Sequence, residues 1–171
     1  MPGDTAEILK DRVILVVDDE PDILETVADM LHSCHVTQAD SYESGRQYLM
    51  NFSYDIVLLD IMGVNGFDLL KIAVKRGFPT VMMTAHALTP AALEKAIKLG
   101  AVSFLPKEKL GHLGEYLGDV FSASDRSGWA ALFEKMGSFF NKRFGPDWRD
   151  RNRFLREFEE TLKRQREKDR S

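Results

Sequence analysis

A single cysteine, Cys34, stands in the chain, so no internal disulfide can form, and no CxxC or mixed cysteine and histidine cluster offers a metal-ligand set. His32, His35 and His112 show no ligand spacing. The longest apolar runs, such as VILVV at 13–17, are far too short to span a bilayer, and the acidic N-terminus MPGDTAEILKDR has no apolar signal core. These absences exclude a disulfide scaffold and a membrane protein, and make a reducing, cytoplasmic setting the expectation. With 44% hydrophobic and 29% charged residues, the 171-residue chain has an ordinary globular balance and enough length to bury a real core.

Charge is unevenly shared. Residues 1–121 carry 18 acids against 10 Lys and Arg, whereas residues 122–171 carry 9 acids against 13. Such an asymmetry points to two modules with different surroundings.

Five short strands are predicted at 13–17, 35–39, 55–59, 79–83 and 101–105. Most are continuously apolar, which suits the covered interior of a parallel sheet, while HVTQA at 35–39 reads as an edge. Amphipathic helices lie between them, clearest at Ile23, Leu24, Val27, Met30 and Leu31, and at Phe67, Leu69, Leu70 and Ile72. Strand and helix alternate five times, which predicts an α/β doubly wound sheet with its crevice at the carboxyl ends of the strands.

Polar residues gather where that rule points. Asp18, Asp19 and Glu20 follow the first strand, Asp60 the third, Thr84 the fourth and Lys107 the fifth. Three crowded carboxylates repel one another unless a hard cation joins them, so the set suggests Mg²⁺. Beside such a metal a carboxylate can attack phosphorus, while a Lys ammonium and a Thr hydroxyl stabilise the transferring oxygens. Taken singly, each residue has a plainer explanation: Asp18 or Asp19 as the cap of a helix starting near Pro21, Thr84 as a cap, Lys107 as a surface charge. Their shared placement favours a site.

The stretches VVDDEPDI, IVLLDIM, MMTAHA and GAVSFLPK, spanning about residues 10 to 121, resemble the receiver domains of two-component signalling, the CheY-like superfamily. The resemblance implies a flavodoxin-like five-stranded sheet in the order 2-1-3-4-5. It implies that Asp60 takes a phosphoryl group from a phosphohistidine on a sensor histidine kinase or phosphotransfer protein, as a signalling step rather than as a turnover enzyme. Mg²⁺ would be held by Asp18, Asp19, Asp60 and the backbone carbonyl of Met62. Thr84 and Lys107 would stabilise the phosphoryl group, Thr84 and Phe104 would form the switch pair, and Met62 and His86 would border the group and affect its lifetime. On hydrophobicity alone Phe104 reads as core and His86 as a solvated loop residue.

Two departures from the family pattern stand out. The loop IMGVNG after Asp60 is about two residues short of the usual turn with a proline before its glycine. Lys107 is followed by Glu108 where the family usually has a cis-bonded proline. A cis Lys107–Glu108 bond would cost about 2.5 to 4 kcal/mol, so a trans path and an altered approach of Lys107 are expected. An aspartyl-phosphate enzyme of the haloacid dehalogenase type is disfavoured, because its second Asp, two positions after the nucleophile, is Met62 here.

The receiver is placed at 10–121 and a helical C-terminal extension at 122–171. Leu113, Tyr116, Leu117, Val120 and Phe121 make the last receiver helix, SASDRSG at 122–128 a linker, and Trp129, Leu132, Phe133, Met136, Phe139 and Phe140 a second apolar stripe. FGPDW at 144–148 is a turn, followed by a helix with Trp148, Leu155, Phe158 and Leu162. Such aromatics must bury against something. Two expectations stand: the helices fold back on the receiver or each other, or, preferred, they serve a downstream protein or a phosphorylation-sensitive homodimer. Nucleic acid is the weaker partner, because Glu157, Glu159, Glu160 and Glu167 interrupt the basic residues and no helix-turn-helix pair is evident.

Overall fold

The computed structural model describes residues 2–85, 88–122 and 127–170. Five parallel strands, β1 (Val13–Val17), β2 (His35–Ala39), β3 (Ile56–Asp60), β4 (Thr80–Thr84) and β5 (Ser103–Pro106), form one sheet in the order β2-β1-β3-β4-β5. The expected order is therefore observed, with β2 on one edge and β5 on the other. Three strands sit one or two residues later than their patterns suggested, so Asp60 and Thr84 end their strands rather than follow them.

Successive side chains of a strand point to opposite faces, and both faces here are covered. Ile14, Val16, Ile56, Leu58, Val81, Met83 and Leu105 pack under α1 (Pro2–Leu9), α2 (Pro21–Met30) and α6 (Leu113–Ser122), through Leu9, Leu24, Val27, Leu113 and Leu117. Leu15, Val17, Val57, Leu59, Met82 and Phe104 face the other way, toward α3 (Tyr42–Asn51), α4 (Gly66–Lys75) and α5 (Pro90–Lys98), through Leu49, Leu69, Leu70, Ala73, Leu93 and Ala96. This two-sided burial is why the strands lack alternation. Helix α1 carries no periodic signal that sequence reasoning picked up; it packs on α6, where Leu9 joins the core.

The helices start where the sequence supplies caps. Ser41 accepts from the Ser44 amide to open α3, and Thr89 accepts from the Ala92 amide to open α5, with Pro90 in the first turn. Helix α2 has Glu20 at its cap position with no side-chain cap bond, so neither Asp18 nor Asp19 caps it.

Beyond the receiver, α7 (Ser127–Phe144), α8 (Trp148–Arg151) and α9 (Arg153–Arg170) form a folded-back bundle. The expected last helix is broken: Asn152 leaves the helical conformation and its Oδ1 accepts from the Leu155 amide, capping α9. At the expected turn Gly145 adopts φ +94°, a left-handed conformation that closes α7 and that glycine reaches without penalty. Of the expected linker, Ser122 ends α6 and Ser127 opens α7, and the residues between lie outside the described ones.

The fate of the apolar stripe corrects the preferred expectation. Trp129, Leu132, Phe133, Met136, Phe140, Trp148, Leu155 and Leu162 are buried within the chain itself, in the same cluster as Phe104, and are not held out for a partner. Helix α7 lies against β5 and α6, and α9 against α5 and α7. Trp129 Nε1 donates to the Ala101 carbonyl at 2.8 Å, and Lys135 of α7 pairs with Glu115 and Asp119 of α6.

Candidate phosphorylation site

The ladder from β3 to β4 runs to the last residue of β3, pairing Asp60 with Met83, and the next amide, that of Ile61, donates to the Met83 carbonyl. Asp60 is thereby pinned at the sheet's carboxyl end, next to the end of β1, where Asp18 and Asp19 follow. Asp18 Oδ1 accepts from the Glu20 amide at 2.9 Å, a local turn that turns its carboxylate back over the strand ends. Ligand atoms of Asp18, Asp19 and Asp60 lie within 4.8 Å of one another. Asp18 and Asp60 are buried, whereas Asp19 is exposed.

Lys107 enters this group from the end of β5. Its Nζ lies 2.8 Å from Asp18 Oδ2, 3.1 Å from Glu20 Oε2 and 3.3 Å from Asp60 Oδ1. The ammonium thus sits directly against the buried Asp18 carboxylate and counters its charge. Every described peptide bond is trans, Lys107–Glu108 included. Lys107 opens a short 3₁₀ helix, Lys107–His112, directly after Pro106, and its ammonium reaches the acids by that route.

The electrostatics follow from crowding in a dry place. Burial, reinforced by the negative charge of Asp18, pushes the Asp60 carboxyl up to about 6 against the pull of Lys107. Burial likewise raises Asp18, although Lys107 and the Glu20 amide oppose it. Burial works against the Lys107 ammonium, yet its close pairing with Asp18 and Glu20 outweighs that and holds its pKa above the ordinary lysine value.

A cleft of about 190 Å³ opens over these groups, lined by Asp19, Glu20, Asp60, Met62, Gly63, Thr84, Ala85 and Lys107. Thr84, 1% exposed, lines the same cleft at the end of β4. Met62 also lines the cleft, with its side chain largely in solvent. His86 lies outside the described residues. Phe104 is fully buried in the core beneath the C-terminal helices, at some remove from the cleft lining.

Glycines make room for the short loop. A Cβ on Gly66 would overlap the Asp60 backbone carbonyl, and one on Gly63, at φ +85°, would overlap the Asp19 carboxylate. Asn65 takes the left-handed conformation at φ 51° just before α4. Sequence reasoning singled out neither these glycines nor the role of Glu20 as a Lys107 partner. The third acid of the run DDE was the available signal for Glu20.

Two buried acids and one exposed acid, answered by one lysine, thus stand at the carboxyl end of a doubly wound parallel sheet. The family model for the response regulator receiver domain matches residues 14–116, and the chain belongs to that family. Solved receiver structures share the fold. One is a CheY-like receiver domain protein from Methanospirillum hungatei, 22% identical with a TM-score of 0.59, covering 66% of this chain and 95% of that one. Another is a putative response regulator from Chloroflexus aurantiacus, 23% identical with a TM-score of 0.59, covering 67% and 100%. The structure of NtrX from Brucella abortus in complex with ATP is 28% identical with a TM-score of 0.54, covering 66% of this chain and 27% of that one. No curated protein sequence matches the chain.

The acidic cluster fits Mg²⁺, the ion typical of this family: three carboxylates within 4.8 Å of one another supply the hard oxygen donors that ion requires. No helix among the described residues is long and apolar enough to cross a membrane.

Proposed function

We propose that the chain is a phosphoswitch that accepts a phosphoryl group on Asp60 from the phosphohistidine of a histidine kinase or phosphotransfer protein, and that signals through protein contacts. The observation that carries this reading is the Lys107 ammonium 3.3 Å from Asp60 Oδ1, inside a cluster of acids that open onto a cleft.

An Asp60 carboxylate oxygen attacks phosphorus, the phosphorus–nitrogen bond of the donor breaks, and its imidazole leaves to take up a proton. Lys107 and the Thr84 hydroxyl stabilise the oxygens of the transferring group. Asp18, Asp19, Asp60 and the Met62 carbonyl would hold Mg²⁺, which supplies charge neutralisation for the same oxygens when bound. Water later cleaves the acyl phosphate and returns the carboxylate. Met62 stands at the rim where it affects that attack.

Protein contacts are favoured over nucleic acid as output because several basic residues of the extension are answered locally. Arg149 pairs with Glu159, Arg153 with Glu157 and Arg166 with Glu134, which leaves a mixed face rather than a basic stripe.

The test is intact mass after incubation with Mg²⁺ and acetyl phosphate, beside Asp60→Ala and a Mg²⁺-free control. One phosphoryl adduct that needs both Asp60 and Mg²⁺ supports the switch. Absence of any adduct, with candidate kinases also supplied, overturns it and leaves a phosphorylation-independent binding module.

A further inference from the structure

Arg143 belongs to α7, outside the stretch that matches the receiver family, yet it reaches the rim of the phosphorylation cleft. Its Nη2 donates to the Ala85 carbonyl at 3.4 Å, and its Nη1 lies 3.9 Å from Glu108 Oε1. Ala85 directly follows Thr84, and Glu108 directly follows Lys107. One side chain from the extension thus bridges the neighbours of both phosphoryl-stabilising residues. Glu108 also occupies the position where the sequence departs from the family's proline, and a proline there could not pair with an arginine.

The rest of α7 is held independently. Trp129 is bonded to Ala101, Lys135 to Glu115 and Asp119, and Leu132, Met136 and Phe140 are buried against the core. Next to the bridge, the Lys109 ammonium sits 5.4 Å from the Phe139 ring centroid. Helix α7 is therefore firmly seated along β5 and α6; its last turn is tied to α8 by the Trp148 bond to Asn141 and the Phe144 ring against Trp148, and it meets the cleft through the Arg143 contacts, which are long and half-exposed. Such contacts are weak enough to be exchanged by a small shift of Ala85.

We propose that Arg143 is a positioning residue that couples the docked C-terminal helices to the state of Asp60. With Asp60 unmodified, its bridge to Ala85 and Glu108 holds the last turn of α7 on the cleft rim. Phosphorylation draws Thr84 toward the phosphoryl group, withdraws the Ala85 carbonyl and frees that turn. This inference rests on the reading of Asp60 as phosphoacceptor. Coupling of this kind is reciprocal, so loss of the bridge must also ease occupancy of the phosphoryl position.

The experiment uses the full chain with Mg²⁺ and beryllofluoride as a stable phosphoryl mimic, followed by hydrogen exchange of α7 and by fluorine NMR of the bound mimic. In the native chain, beryllofluoride should speed exchange severalfold at the last turn of α7 and leave the turn around Leu132 protected. In Arg143→Ala that turn should exchange fast with or without the mimic, and the mimic should bind about two- to fivefold more tightly, the range an exposed ion pair can supply. Arg143→Lys should recover part of both effects. Unchanged α7 exchange in native chain with the mimic bound, or native mimic affinity in Arg143→Ala, overturns the coupling. Failure of the underlying reading looks different: no bound-mimic signal in the native chain at all, which overturns both.

Discussion

The Lys107 ammonium lies 3.3 Å from Asp60 Oδ1 and 2.8 Å from Asp18 Oδ2. One cation thus counters two buried carboxylates that burial alone would drive toward protonation. Lys107→Ala removes it. Phosphoryl acceptance from acetyl phosphate should fall by about 10²- to 10³-fold, the usual effect of losing one donor to a developing anion. Metal-free stability at pH 7.5 should fall by roughly 3 kcal/mol, as when one partner of a buried pair is removed. Adduct formation by mass and urea unfolding read the two effects separately, and native acceptance in this variant would remove Lys107 from the site.

Asp60 should make the metal-free protein less stable as pH rises. Its carboxyl is pushed up to about 6 in the fold by burial and Asp18, against about 3.9 in an unfolded chain. The fold therefore binds this proton more tightly than the unfolded chain does. The resulting contribution, on the order of 2 to 3 kcal/mol, is fully present below pH 4 and lost as pH passes 6. Asp60→Asn has no such proton, so its stability advantage over the native chain should be larger at pH 7.5 than at pH 4.5. Equal differences at the two pH values, in chelator-treated samples, would contradict the raised pKa.

Gly66→Ala places a methyl group on the Asp60 backbone carbonyl, with backbone rather than a flexible side chain in the way. It should destabilise the fold by more than about 2 kcal/mol. Gly63→Ala meets the movable Asp19 carboxylate and forces a left-handed alanine, so it should cost about 1 to 2 kcal/mol and weaken Mg²⁺ binding more than it weakens the fold. Calorimetric Mg²⁺ titration beside thermal melts would separate the two, and unchanged Mg²⁺ affinity in Gly63→Ala would count against Asp19 as a ligand.

Trp129→Ala should cost about 3 to 5 kcal/mol, because it removes a ring that is 3% exposed together with its bond to Ala101. Trp129→Phe should cost less, about 1 kcal/mol for the lost hydrogen bond. Because this ring shares its cluster with Phe104 and the sheet, the loss should appear in the main unfolding transition. An unshifted main transition in Trp129→Ala would mean that the extension folds apart from the receiver.

Legibility in the sequence followed the range of the forces involved. The strands and most helices could be read because their signals are local: apolar runs such as IVLL, the helical spacing of Ile23, Leu24, Val27, Met30 and Leu31, and Pro21 in a first turn. Asp60, Asp18, Asp19, Thr84 and Lys107 could be picked out because a parallel sheet brings strand ends together whatever the details of packing. The carboxyl ends of three strands lie one residue later than read, since the pattern cannot tell the last buried polar residue from the first loop residue. The pairing of Glu20 with Lys107 and the close approaches at Gly63 and Gly66 were missed because they depend on distances of a few ångströms.

The sequence alone determined the alternating α/β architecture, the acidic crevice with its lysine, and a basic, aromatic-rich extension that had to bury its rings somewhere. Only the tertiary structure decided where. An apolar stripe specifies that a surface will be covered, because the hydrophobic effect is non-directional. The choice among self, a second copy and a partner depends on shape, on the Trp129 bond to Ala101 and on the Lys135 pairs with α6. The same packing carried Arg143 to Ala85 and Glu108, a meeting of residues separated by 58 positions in one case that no local pattern encodes.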